Sequence, residues 1–129
     1  MPYHCAERVA LALNGVQKPV SGSSVLVLGV AYKGGVGDLR ESPALKLMEL
    51  LAAQGAEIAY HDPFVPHLAE HGFDLDSQTL TDDLLAGTDI VAVVTAHPGV
   101  DHARVAERAP LVIDFRNAVP AAGGRVVKL

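Results

Sequence analysis

Apolar positions follow two rhythms along this chain. Short, nearly uninterrupted runs (SVLVLGV at 24–30, DIVAVVTA at 89–96, PLVIDF at 110–115) alternate with stretches where apolar residues recur every three or four positions. Runs of the first kind are expected of strands buried on both faces. The second spacing is that of helices with one covered side. Residues 2–14 (PYHCAERVALALN) place Ala6, Val9, Ala10 and Leu13 at helical spacing, with Pro2 in a tolerated first-turn position. Gly15 and the polar run QKPVSGS end that helix. A second helix is expected from Pro43, with the Ser42 hydroxyl as its N-cap and Gly55 as its C-terminal stop. Lys46, Glu49 and Ala53 mark its wetter side.

The alternation continues to the end of the chain. EIAYHDP is a short strand broken by Pro63, and TLTDDLLAG is a short helix with Asp82 and Asp83 near its positive end. VDHARVAERA is a further helix between the last two apolar runs, and Arg125 to Leu129 add an edge strand. Strands and helices in this order call for a parallel, doubly wound α/β sheet. No internal repeat or low-complexity segment interrupts it, and residues 15–23 are the only linker-like stretch.

Composition narrows the choice of partner. A chain of 129 residues fits one domain with a real core. No stretch approaches the roughly 18 consecutive apolar residues of a membrane span, and the N-terminus does not read as a signal peptide. A formal net charge of −5 without any Lys/Arg block argues against nucleic acid or an anionic membrane. Cys5 is the only cysteine. One thiol is compatible with a reducing cytoplasm, where we place the chain, and it reads as a small apolar helix residue.

Open α/β sheets bind ligands at the carboxyl ends of their strands. The first strand delivers Tyr32, Lys33, Asp38 and Arg40 there, the second His61 and Asp62, the third Thr95 and His97, and the fourth Asp114 and Arg116. Three cations on one edge of an acidic domain suit a phosphate or pyrophosphate. Gly29-Val-Ala31-Tyr-Lys-Gly34 is an imperfect version of the dinucleotide turn, and Pro43 sets the next helix too late to present its amides there. The competing reading is that these glycines only make the loop fit.

The stretch LGVAYKGGVGDLRESPALKLMELLAAQGAEIAYHDPFVP, continued by TDIVAVVTAH and LVIDFRN, strongly resembles the C-terminal domain of the UDP-glucose/GDP-mannose dehydrogenase family. MPYHCAERVALALN resembles the helix that leads into that domain, so the likeness covers essentially the whole chain. It implies a three-layer α/β/α, Rossmann-like sheet: residues 1–22 as the lead-in from a central domain, and 23–129 as the nucleotide-sugar (UDP) binding domain. It further implies a parent enzyme, a homodimer or larger, that oxidises C6 of a nucleotide sugar to a carboxylate with two NAD per sugar. Its thiol nucleophile and most of its NAD site would lie in domains outside this chain, so the chain alone is expected to be inactive.

The same resemblance implies particular residues. Tyr32 and Lys33 match the pair that contacts the nucleotide sugar, as does Arg116 in DFRN; Arg40 in DLRESP matches the arginine that reaches NAD. No catalytic residue and no metal site is expected. YHDPFVP and TAHPGVD look more like the branch acting on UDP-N-acetylhexosamines, because the UDP-glucose branch tends to carry Trp where His97 stands. Gly34, Gly35 and Gly37 depart from the family pattern, and they predict a loop at 33–38 that moves without ligand.

Each residue has a plainer reading. Asp38 and Arg40 can pair with each other or with Glu41, Lys33 can be a solvated loop lysine, and Arg116 can pair with Asp114 or cap a helix. Ser42 reads as a cap, not a nucleophile. His61, Asp62 and His97 fit no standard metal-ligand spacing and read as residues that shape the loop edges. A stand-alone nucleotide- or CoA-binding module is the alternative function. A receiver domain is excluded by Tyr32-Lys33 and Thr95-His97, which stand where its acidic residues belong.

Overall fold

The structure, a computed structural model, describes residues 2–31, 42–69, 72–116 and 125–128. In chain order the elements are α1 (Pro2–Asn14), β1 (Ser24–Leu28), α2 (Pro43–Ala53), β2 (Glu57–His61), β3 (His67–Leu68), β4 (Leu75–Asp76), α3 (Asp82–Gly87), β5 (Ile90–Val93), α4 (His102–Arg108), β6 (Leu111–Asp114) and β7 (Arg125–Lys128). Five strands form one parallel sheet in the order β2-β1-β5-β6-β7, and β3 pairs with β4 as a small antiparallel hairpin. The expected doubly wound sheet is present, including the edge strand at 125–128.

Alternation along the buried strands divides the core in two. Val25 and Val27 of β1, Ile90 and Ala92 of β5, and Leu111 and Ile113 of β6 face a cluster with α1 and α2. Leu26, Leu28, Val91, Val93 and Val112 face the opposite way, onto Leu85 of α3 and Val105 and Ala106 of α4. Period-two side chains thus cover both faces, and three layers result. Ala6, Val9 and Leu13 of α1 are buried in the first cluster, whereas Leu11 is 61% exposed. Cys5 packs against the same cluster, and burial pushes its thiol pKa up.

The expected strand at 24–30 ends at Leu28, because Gly29 turns the backbone with φ +88°. Gly55 ends α2 as expected: it has φ +93°, its N–H bonds to Ala52 O, and Ala56 N–H bonds to Leu51 O. That pair of bonds satisfies two orphan carbonyls of the last turn. The hairpin β3–β4 was not expected, since two-residue strands carry no readable periodicity. At the amino end of the sheet, Asp89 accepts Ser24 N–H (2.8 Å) and Lys18 Nζ (2.5 Å), joining the starts of β1 and β5.

Candidate functional site at the carboxyl edge

Strand β1 pairs with β2 on one side and β5 on the other, so the chain reverses its direction of winding beside β1. This is the switch point where open α/β sheets form their ligand crevice. At that point β1 leaves the sheet through Gly29, Val30 and Ala31. A Cβ on Gly29 would lie 2.3 Å from the Thr95 carbonyl oxygen, so only glycine permits this approach of two strand ends.

The next two peptide units are held at both ends by side chains from three other elements. Val30 N–H and Ala31 N–H donate to Asp62 Oδ2 at 2.8 and 3.0 Å. Val30 C=O accepts the Ser42 hydroxyl at 2.5 Å, and Ala31 C=O accepts the Thr95 hydroxyl at 2.7 Å. Ser42 sits at the N-cap position of α2 as expected, but its side chain makes no cap bond. A cap bond needs the hydroxyl oxygen to face the first amides of α2, whereas the hydroxyl here is turned to donate to the buried Val30 carbonyl.

Asp62 is fully buried. Its other oxygen accepts Phe64 N–H at 2.8 Å, its own N–H donates to Ser77 Oγ at 2.9 Å, and His97 Nε2 lies 2.8 Å from Oδ2. Three backbone N–H groups converge on this carboxylate, so it is an acceptor throughout and His97 Nε2 carries the proton between them. His97 is itself 3% exposed, with its ring against Phe64 at a centroid distance of 4.8 Å. Asp62 and His97 therefore shape the loop edge, while His61 turns away to Gln78 O at 2.6 Å. The three do not converge as a ligand set.

Further along the edge, Asp114 is buried at the end of β6, and its Oδ1 accepts Arg116 N–H at 3.0 Å. Arg116 thus meets Asp114 through its backbone amide. The Arg116 side chain is exposed at the same edge and forms no ion pair with a described residue. His102, opening α4, is partly buried, and burial pushes its pKa down against the opposing pull of Asp114. Tyr32, Lys33, Asp38 and Arg40, with the mobility expected of 33–38, lie outside the described residues.

This geometry bears on a dinucleotide. In the glycine-turn mode, backbone amides at the turn and at the helix N-terminus face the pyrophosphate. Here the Val30 and Ala31 amides are occupied by Asp62, and α2 begins only at Pro43. The residues at this turn do not fit NAD in that mode. The apolar groove of about 560 Å³ between α1 and β6–β7 is no better, since Arg8 is the only charged residue among the described residues that line it.

A parallel doubly wound sheet with a braced strand exit at its switch point defines a Rossmann-like α/β domain, a class that binds ligands at that edge. The sequence agrees with this class, matching the UDP binding domain of the UDP-glucose/GDP-mannose dehydrogenase family over residues 26–121. The chain belongs to that family. A UDP-N-acetyl-D-mannosamine dehydrogenase of Pyrococcus horikoshii is 30% identical over 124 residues, covering 92% of this chain and 28% of that protein. A UDP-glucose 6-dehydrogenase of Haloferax volcanii is 34% identical over 104 residues, covering 78% and 24%. The solved structure of the Pyrococcus horikoshii UDP-D-ManNAc dehydrogenase superposes with a TM-score of 0.77 at 25% identity, covering 98% of this chain and 30% of that one. The chain thus spans between a fifth and a third of the length of the relatives it matches.

Proposed function

We propose that this chain is the nucleotide-binding part of an NAD-dependent UDP-sugar 6-dehydrogenase. Residues 23–129 bind the UDP end of the substrate, and residues 1–22 connect them to a central domain. Lys33 supplies a point charge to the diphosphate, Tyr32 a packing wall, and Arg116 a planar fork for a second pair of oxygens. The observation that carries the reading is the exposed Arg116 on the same carboxyl edge as the braced exit of β1, in a chain of this family.

NAD does not fit the Gly29 turn, so this chain's share of the cofactor is limited to Arg40 reaching toward a site held elsewhere. NAD would accept hydride from C6 in the complete enzyme; no step of that chemistry falls on residues of this chain. What these residues do is bind and orient. Energy from gripping the nucleotide, remote from C6, holds the reacting carbon in place without touching it. The chain alone is then a binder without turnover. His97, in place of the Trp of the glucose branch, and the mannosamine dehydrogenases among its relatives support a UDP-N-acetylhexosamine as the substrate.

Calorimetric titration of the chain with UDP, beside GDP and NAD, tests this. The expected order is UDP over GDP, with NAD weakest. Lys33→Ala and Arg116→Ala each weaken UDP by about tenfold, the scale of one charge-assisted hydrogen bond. Equal affinity of both variants and wild type would overturn the assignment.

A further inference from the structure

His102 opens α4, the helix that follows β5, and its ring lies close enough to Asp114 at the end of β6 to feel that charge. Its Nε2 is buried and meets no hydrogen-bond partner among the described residues. The backbone of Val100 holds the ring by a hydrogen bond. A carbonyl accepts there, so Nδ1 carries the proton and Nε2 keeps a bare lone pair. Burying such an atom unpaired costs stability, and an apolar side chain would fill the place without that loss. One change would turn this acceptor into a donor, and that is protonation.

The surrounding groups decide when it happens. Asp114 acts on the ring from β6, Asp101 from the start of α4, and His97 from the segment after β5. Asp101 caps its own helix by accepting Arg104 N–H at 3.0 Å, and His97 Nε2 is committed to Asp62. Asp114 is buried and accepts Arg116 N–H, whose side chain is exposed at the same edge. Burial is the largest influence and holds the His102 pKa below 6.5, ahead of the upward pulls of Asp114, the Val100 bond and Asp101 and the downward push of His97. The ring is therefore neutral at neutral pH. A diphosphate arriving beside Arg116 brings negative charge to this edge, and negative charge nearby favours a protonated imidazole.

We propose that His102 couples nucleotide binding to proton uptake: as the diphosphate of UDP settles at the carboxyl edge, Nε2 takes a proton from solvent, and the imidazolium stands beside Asp114 as added positive charge. The inference rests on the reading that UDP binds at this edge.

The test follows the His102 ring-proton signal against pH by NMR, with the chain free, with saturating UDP and with uridine. We expect UDP to raise the His102 midpoint by about one pH unit, and uridine, which lacks the phosphates, to leave it in place. By linkage, wild type should gain on His102→Gln in UDP affinity by up to about tenfold as pH falls from about 8 to about 5. The glutamine is polar but cannot titrate, and comparison at each pH cancels the ionisation of UDP itself. A residue that merely stabilises the fold would leave that ratio flat. Should His102→Gln fail to fold, His102→Phe, which fills the place of the ring, carries the same expectation. Amide shifts at 114–116 with UDP but an unmoved His102 midpoint, an equal rise with uridine, or a flat affinity ratio would overturn the inference while leaving the UDP site intact. Absence of UDP binding by the wild-type chain would instead overturn the site and this inference together.

Discussion

Gly29 and Asp62 are the residues on which the carboxyl edge depends most. Gly29→Ala combines a positive φ with a Cβ placed 2.3 Å from a backbone oxygen, a neighbour that cannot rotate away. A loss of about 2–4 kcal/mol in urea unfolding is expected, the range for backbone strain plus overpacking. Asp62→Ala strands the donors of Val30, Ala31, Phe64 and His97, and should cost about 3–5 kcal/mol by the same measurement. In the sequence both residues were visible as members of the strand ends. Their bonds were not, because Asp62 meets Val30 across 32 positions and His97 across 35, distances that no periodicity reports. Ser42 shows the opposite limit. Local rules place it at the start of α2 correctly, but tertiary packing decides where its proton goes.

Among the elements, those that are long and periodic were legible, and those set by a few contacts were not. α1, α2 and the apolar strands follow from spacing, and the stop at Gly55 follows from its lack of a Cβ, which permits positive φ. The two-residue ladder of the hairpin β3–β4 is supplemented by side chains: His67 lies 2.9 Å from Asp74 and 2.7 Å from Asp76. Its hydrogen bond to Asp76 leads the causes that raise the His67 pKa above the ordinary 6.5. A raised folded value means that this support is complete below 6.5 and is lost as pH rises through the raised value. An NMR titration should give a His67 midpoint above 6.5, and His67→Gln should abolish the pH dependence of the hairpin's amide shifts. Asp89 behaves with the opposite sign. The Lys18 hydrogen bond, then the Ser24 amide, hold its pKa below the ordinary 3.8, so its contribution is present above that value and lost as pH falls through the lowered one.

At the scale of the molecule, two layers of helices leave one edge of the sheet to do the binding. The core beneath that edge includes Tyr60, fully buried and donating to Val65 O at 2.8 Å. Burial first, then the nearby Asp62, pushes its phenol up to about 12 from 10.0. Its contribution to stability is therefore complete below 10.0 and lost as pH rises toward about 12. Tyr60→Phe should flatten that alkaline loss while costing about 1 kcal/mol at neutral pH for the hydrogen bond. The fold class was readable in the sequence, and so was the set of strand ends that meet at the carboxyl edge, since topology alone brings them together. The bracing of that edge by Asp62, His97, Ser42 and Thr95 was not, for it exists only once four distant segments meet. The most direct test of the account is an amide chemical-shift map of the chain titrated with UDP. Shifts concentrated at residues 29–33, 62, 95–97 and 114–116, together with the Arg116 side chain, are the predicted result. Shifts confined to the groove between α1 and β7, or none at millimolar UDP, would contradict it.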